Sequence, residues 1–201
     1  MKKLIVSVHI ILLVLALQVA GAAFAANDYF PNKIFYDRQD LHDFKCTWYI
    51  KQLSALEEQS IYKQSKNKDL IIFRFTWLRT FHNPIAIRMV INKDGTGVLF
   101  AKKTSGAGGY EPGKLDKSIM KPLNKTEIAN FKKLLESEKF WDLPSTTNEQ
   151  GLDGSHWIVE GLSNGKYHIV DRWSPEKGSV RTIGLYFLGI SGIEIKAKEI
   201  Y

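Results

Sequence analysis

Asn164-Gly165 stands between two runs of alternating polarity that extend from Ser155 to Trp173. Both central residues of a type I′ turn need positive φ, and Asn-Gly is the preferred pair for it. A two-residue turn leaves one register, and a slip by one position would turn every side chain to the other face. Leu162 is thus expected opposite Tyr167, Glu160 opposite Ile169, Ile158 opposite Asp171, and His156 opposite Trp173. One face of the hairpin carries His156, Glu160, Tyr167, Asp171 and Trp173. The other carries Trp157, Val159, His168, Val170 and Arg172. There Gly161 leaves room for His168, read as a satisfied structural histidine, and Arg172 is placed to stack on Trp157.

The first face holds the candidate chemistry. Asp171 lies diagonal to both His156 and Glu160, with Cβ atoms roughly 7–8 Å apart or a little less. An imidazole and two carboxylates can bind a divalent metal, or divide acid and base roles if one pKa is raised. Tyr167 and Trp173 beside paired acids also suit a sugar-binding surface. The plain alternative is a solvated sheet face, or acids paired with Arg or Lys from elsewhere. The candidate ligand-binding set is therefore His156, Glu160, Tyr167, Asp171 and Trp173, with no catalytic residue, metal or cofactor assigned. Neither a nucleophile elbow nor an H-E-x-x-H helix occurs, and no Cys–His pairing has local support. Gly108 to Lys114 spells G-x-x-x-x-G-K, but Leu115 stands where a P-loop needs Ser or Thr. The glycine-rich stretch from Ser105 to Gly113 reads instead as a mobile surface loop able to close over a partner.

Around the hairpin the apolar periodicity predicts a small mixed domain. A helix is expected from about Leu41 to Glu57, capped by Asp40, with Leu41, Phe44, Trp48 and Leu53 along its apolar side and Cys46 off it. Strands follow at Leu70–Leu78, Ile85–Ile91 and Thr96–Thr104, with turn chemistry at Asn92 to Gly95, as a three-stranded meander. Asn124 with Glu127 three residues on is a capping-box pattern opening a helix to Ser137, striped by Ile128, Phe131, Leu134 and Leu135. Ser179 to Ser191 predicts a third helix, apolar nearly all round and too short to span a bilayer. The expected fold class is α+β: an antiparallel β-meander and β-hairpin packed by two or three helices, in a single domain.

The first residues divide as a cleavable secretory signal. Lys2 and Lys3 precede an apolar stretch from Leu4 to Leu17, and small residues crowd around Ala23-Phe24-Ala25. Cleavage after Ala25 is expected, giving a signal peptide over 1–25 and one domain over 26–201. Leu4 to Ala26 is long enough for a retained anchor, but the small-residue site argues for removal and hence for no membrane anchor. Loss of Lys2 and Lys3 lowers the formal charge from +7 to +5. The lysines are scattered rather than clustered, so no nucleic-acid partner is expected. With Cys46 alone, no intrachain disulfide can form, and the mature protein is expected to be a monomer.

The run Gly154-Ser155-His156-Trp157-Ile158-Val159-Glu160-Gly161, with Gly165-Lys166-Tyr167-His168 and Asp171-Arg172-Trp173-Ser174-Pro175, resembles an uncharacterised group of bacterial exported proteins with no assigned activity. Leu78 to His82 and Gly106 to Gly113 add to the likeness, which covers most of the mature chain. The resemblance implies export and a single domain, and carries over no functional residue. A short Lys2-Lys3 n-region and a single cysteine suit a bacterial envelope protein, so periplasmic localisation is expected, with secretion to the medium as the alternative. The leading functional expectation is a non-catalytic binding or inhibitor-like protein for an envelope protein or glycan. The alternative is a hydrolase or metal-dependent enzyme built on His156, Glu160 and Asp171.

Overall fold

A computed structural model describes residues 28–147 and 151–201. The expected leader and its cleavage site lie outside the described residues. The elements are α1 (Gln39–Ala55), β1 (Ile71–Arg79), β2 (Ile85–Ile91), β3 (Gly97–Thr104), β4 (Leu115–Leu123), α2 (Lys125–Ser137), β5 (Ser155–Ser163), β6 (Lys166–Trp173) and α3 (Ser179–Ile190). The six strands form one antiparallel sheet in the order β4-β3-β2-β1-β5-β6. The protein is a single-domain α+β fold. Among the described residues no helix is long and apolar enough to cross a membrane.

The hairpin has the expected register, from His156 opposite Trp173 to Leu162 opposite Tyr167. Asn164 and Gly165 have φ of 53° and 77°, the paired positive values a type I′ turn requires. The second helix begins as its capping box predicts. Asn124 Oδ1 accepts the Glu127 N–H at 3.0 Å, and Glu127 Oε2 accepts the Asn124 N–H at 2.8 Å.

Several expectations need correction. The meander has a fourth strand, β4, which pairs with β3 at the sheet edge. The glycine-rich segment is the connection between them, and it is tied down. Ser105, Gly106 and Ala107 donate backbone N–H groups to Lys114, Pro112 and Glu111, while Gly108 and Gly109 donate to His82 and Thr80 in the β1–β2 link. In α1 the buried side is His42, Lys45, Cys46, Tyr49, Gln52 and Leu53, whereas Leu41 and Phe44 are 40% and 76% exposed. Asp40 lies in the first turn, paired with the N-cap residue Arg38, rather than capping the helix itself.

Both faces of the sheet are covered, by different chemistry. Phe73, Phe75 and Trp77 of β1 join Ile87 and Met89 of β2 and Trp157 of β5 beneath Phe131 of α2 and Phe187 of α3. Each such side chain contributes roughly 1.5–3 kcal/mol on full burial, so this face supplies the main core. Gly161 belongs to it: a Cβ there would sit 2.7 Å from Phe140 and 2.9 Å from Phe73. The space is thus filled by those rings rather than kept for His168. His168 packs on Phe140 and Trp141, and burial holds its pKa below the usual histidine value. Among the described residues its Nε2 has no hydrogen-bond partner, so it is structural but not fully satisfied there. The guanidinium over Trp157 belongs to Arg181, at 5.2 Å. Arg172 donates to the carbonyls of Asp171 and Pro144.

Candidate functional site

The opposite face lies under α1 and the segment before it, where Phe30, Phe35 and Tyr49 meet Leu78, Ile158 and Ile169. All five predicted site residues are on this face. It is not a solvated surface, since Glu160 and Asp171 are 1% and 3% exposed. Buried carboxylates need partners, and the way the sheet supplies them splits the predicted cluster in two.

Glu160 sits directly opposite Arg74, because β5 pairs with β1. Arg74 Nε donates to Glu160 Oε2 at 2.7 Å, and the Tyr167 hydroxyl donates to Oε1 at 2.9 Å. Arg74 also reaches the Gln59 carbonyl at 2.8 Å and Glu58 at 3.4 Å, and Glu58 in turn meets Arg88 at 2.7 Å and Lys102 at 3.0 Å. Burial alone would push the Glu58 carboxyl up, but Arg74 and Arg88 outweigh it and hold it below its ordinary value. Burial, reinforced by Glu160, drives the Tyr167 phenol well above its usual value. Glu160 and Tyr167 are thus parts of an interior ion network.

His156 and Asp171 do come together. His156 Nδ1 is 2.9 Å from Asp171 Oδ1 and 2.9 Å from the Tyr49 hydroxyl. The other carboxylate oxygen accepts from the Tyr49 hydroxyl at 2.6 Å and from Lys45 Nζ at 2.5 Å. Burial opposes the charge on Asp171, yet His156 and Lys45 more than offset it, and its pKa is held far below the carboxylate range. Burial and the same carboxylate keep the Tyr49 phenol protonated well above its usual value. Lys45 is further enclosed by the rings of Tyr36, Phe35 and Tyr49, at 5.2, 5.3 and 5.5 Å.

Unlike Glu160, this group borders open space. The His156 ring stands between Trp48 at 5.3 Å and Trp173 at 4.8 Å, both edge to face. It lines a cleft of about 270 Å³ walled by Tyr36, Phe44, Trp48 and Trp173. A second cleft of about 230 Å³, bordered by Tyr110, Leu152 and Asp153, shares Trp48 and Trp173. Sequence reasoning missed Lys45, Trp48 and Tyr49. Their one signal is spacing: Lys45 and Tyr49 are four apart and share a helix face with His42 and Cys46. Those last two are also in contact, Sγ to Nε2 at 3.4 Å, but buried, with burial pushing the thiol up to about 12. Among the described residues no group of three His, Cys, Asp or Glu side chains converges as a metal would require. Searches against protein-family models and curated proteins match nothing to this chain.

Proposed function

We propose that this is an exported, periplasmic, non-catalytic binding protein whose ligand lies across Trp48 and Trp173. One observation carries the reading. Seven large apolar side chains are exposed among the described residues, and Leu41, Phe44, Tyr110 and Leu152 of these line the two clefts. A fifth, Phe81, packs on Tyr110 with ring centroids 6.2 Å apart. Contiguous exposed apolar surface rimmed by polar groups marks interaction sites, and aromatic anchors carry much of the energy of such sites. A base, His156, is present in the first cleft, but Ser, Thr and Cys are absent from its described lining. That favours binding over nucleophilic catalysis.

The direct test is capture. Protein comprising residues 26–201 and its Phe44→Ser and Trp48→Ala variants are incubated with envelope extract from the source cells, and retained species are identified by mass spectrometry. The wild type should hold a species that both variants lose while their melting temperatures stay close to its own. Equal capture by all three would remove the clefts as the site.

A second reading rests on the His156–Asp171 pair, since a carboxylate on Nδ1 is how hydrolases orient a histidine base. It loses Glu160 from the originally expected trio, and with it the metal version. Consumption of the captured species, stopped by His156→Asn, would favour the enzyme. A rise in melting temperature on adding Zn²⁺, abolished by Glu160→Gln, would restore the metal site; no rise is expected.

A further inference from the structure

The hydrogen bonds around His156 determine which nitrogen carries its proton. Asp171 is ionised and can only accept, and the single Tyr49 proton is directed to Asp171 Oδ2. Both oxygens 2.9 Å from Nδ1 therefore lack a hydrogen to offer it. Nδ1 must be the donor, so the neutral ring keeps its lone pair on Nε2. Among the described residues the hydrogen bonds of this ring are all made at Nδ1, and the ring lines the first cleft.

Charge narrows the ligand further. Among the described residues Lys45 is the only Lys or Arg lining either cleft, and its ammonium is committed to Asp171. The second cleft adds a carboxylate, Asp153. Among the described residues anions thus meet no available lysine or arginine, whereas hydroxyl donors meet acceptors in both clefts. The aromatic walls in turn favour a ligand with apolar C–H faces. At about 270 and 230 Å³, each cleft is smaller than the roughly 300–1,000 Å³ of a drug-sized site. Each suits one ring, and their shared walls set them in series. A protein partner would instead need contact over about 800 Å² of this surface.

We propose that the two clefts hold a neutral oligosaccharide of at least two pyranose rings, one hydroxyl of which donates to Nε2 of His156. This rests on the clefts being the binding site. The test titrates cellotetraose, maltotetraose and tetra-N-acetylchitotetraose, with glucose and N-acetylglucosamine as single rings, following tryptophan fluorescence and calorimetry. At least one tetrasaccharide should bind, more tightly than either single ring. Trp48→Ala should remove that binding, and His156→Phe should weaken it by about tenfold, the scale of one lost hydrogen bond. His156→Gln returns an acceptor and should recover part of the loss. Long-range ¹H–¹⁵N spectra of the wild type should place the proton on Nδ1 and show Nε2 responding to the sugar.

Binding that survives Trp48→Ala, or a proton found on Nε2 of the neutral ring, would overturn the proposal. So would failure of all three tetrasaccharides. If a protein were then captured from extract in a Phe44- and Trp48-dependent way, the binding reading would stand without its sugar. If nothing were captured, both would fall.

Discussion

Glu160 and Asp171 leave the same face of one hairpin, and both are buried, yet one is sealed and the other borders a cleft. The difference follows from strand order. β5 lies next to β1, so a strand residue, Arg74, stands directly across from Glu160. β6 is the edge strand, and Asp171 takes its cation and phenol from α1 instead. A helix laid over a sheet edge leaves gaps beside it that a neighbouring strand does not. Two acids that look equivalent in sequence become an interior ion pair and a boundary group.

The comparison can be broken at several points. The largest effect should come from Arg74→Met, which leaves Glu160 without its cation and deprives Glu58 of one of three. Removing one partner of a buried pair costs about 3–5 kcal/mol, read as a fall in the denaturant midpoint. A loss under 1 kcal/mol would mean that Glu160 is solvated or neutral.

Gly165→Val tests whether the two acids share a face at all. A β-branched residue at φ of 77° is strained, and the expected cost is about 1–3 kcal/mol. An unchanged melting temperature would mean that the turn is of another type.

The smallest effect at neutral pH appears on acidification. Asp171 and Glu58 have folded pKa values below their ordinary 3.8 and 4.5. A depressed carboxyl contributes stability that is complete above its unfolded pKa and is lost as pH falls through that value toward the folded one. Stability should hold down to about pH 5 and then decline, and Asp171→Asn should flatten that decline. The same slope in the variant would remove Asp171 from the account.

What the sequence disclosed follows the same division. The hairpin register, the capping box and the apolar stripe of α2 rest on local chemistry, and they were legible; α3, apolar nearly all round in sequence, gave no sign that Val180, Ile183, Phe187 and Leu188 form its buried side. β4 was not, because an edge strand bearing Lys117, Lys121 and Pro122 needs little alternation. The face of α1 was misread for a physical reason. Its inner side carries His42, Lys45 and Gln52 for the polar half of the sheet, while its apolar Leu41 and Phe44 line the cleft. The separation of Glu160 from His156 depends on β1 meeting β5, a pairing across some eighty residues that no local pattern encodes.

That long-range pairing also bears on how the chain reaches its native state. The meander and the β5–β6 hairpin each close through short connections, whereas Arg74 and Glu160 are 86 residues apart, and distant contacts form slowly. Each half can therefore assemble while both charges are still hydrated. Stripping water from them is left to the step that joins the halves. The activation barrier then contains the cost of drying an arginine and a glutamate, and an apolar pair of similar volume at these positions would speed folding even where it left the final stability little changed.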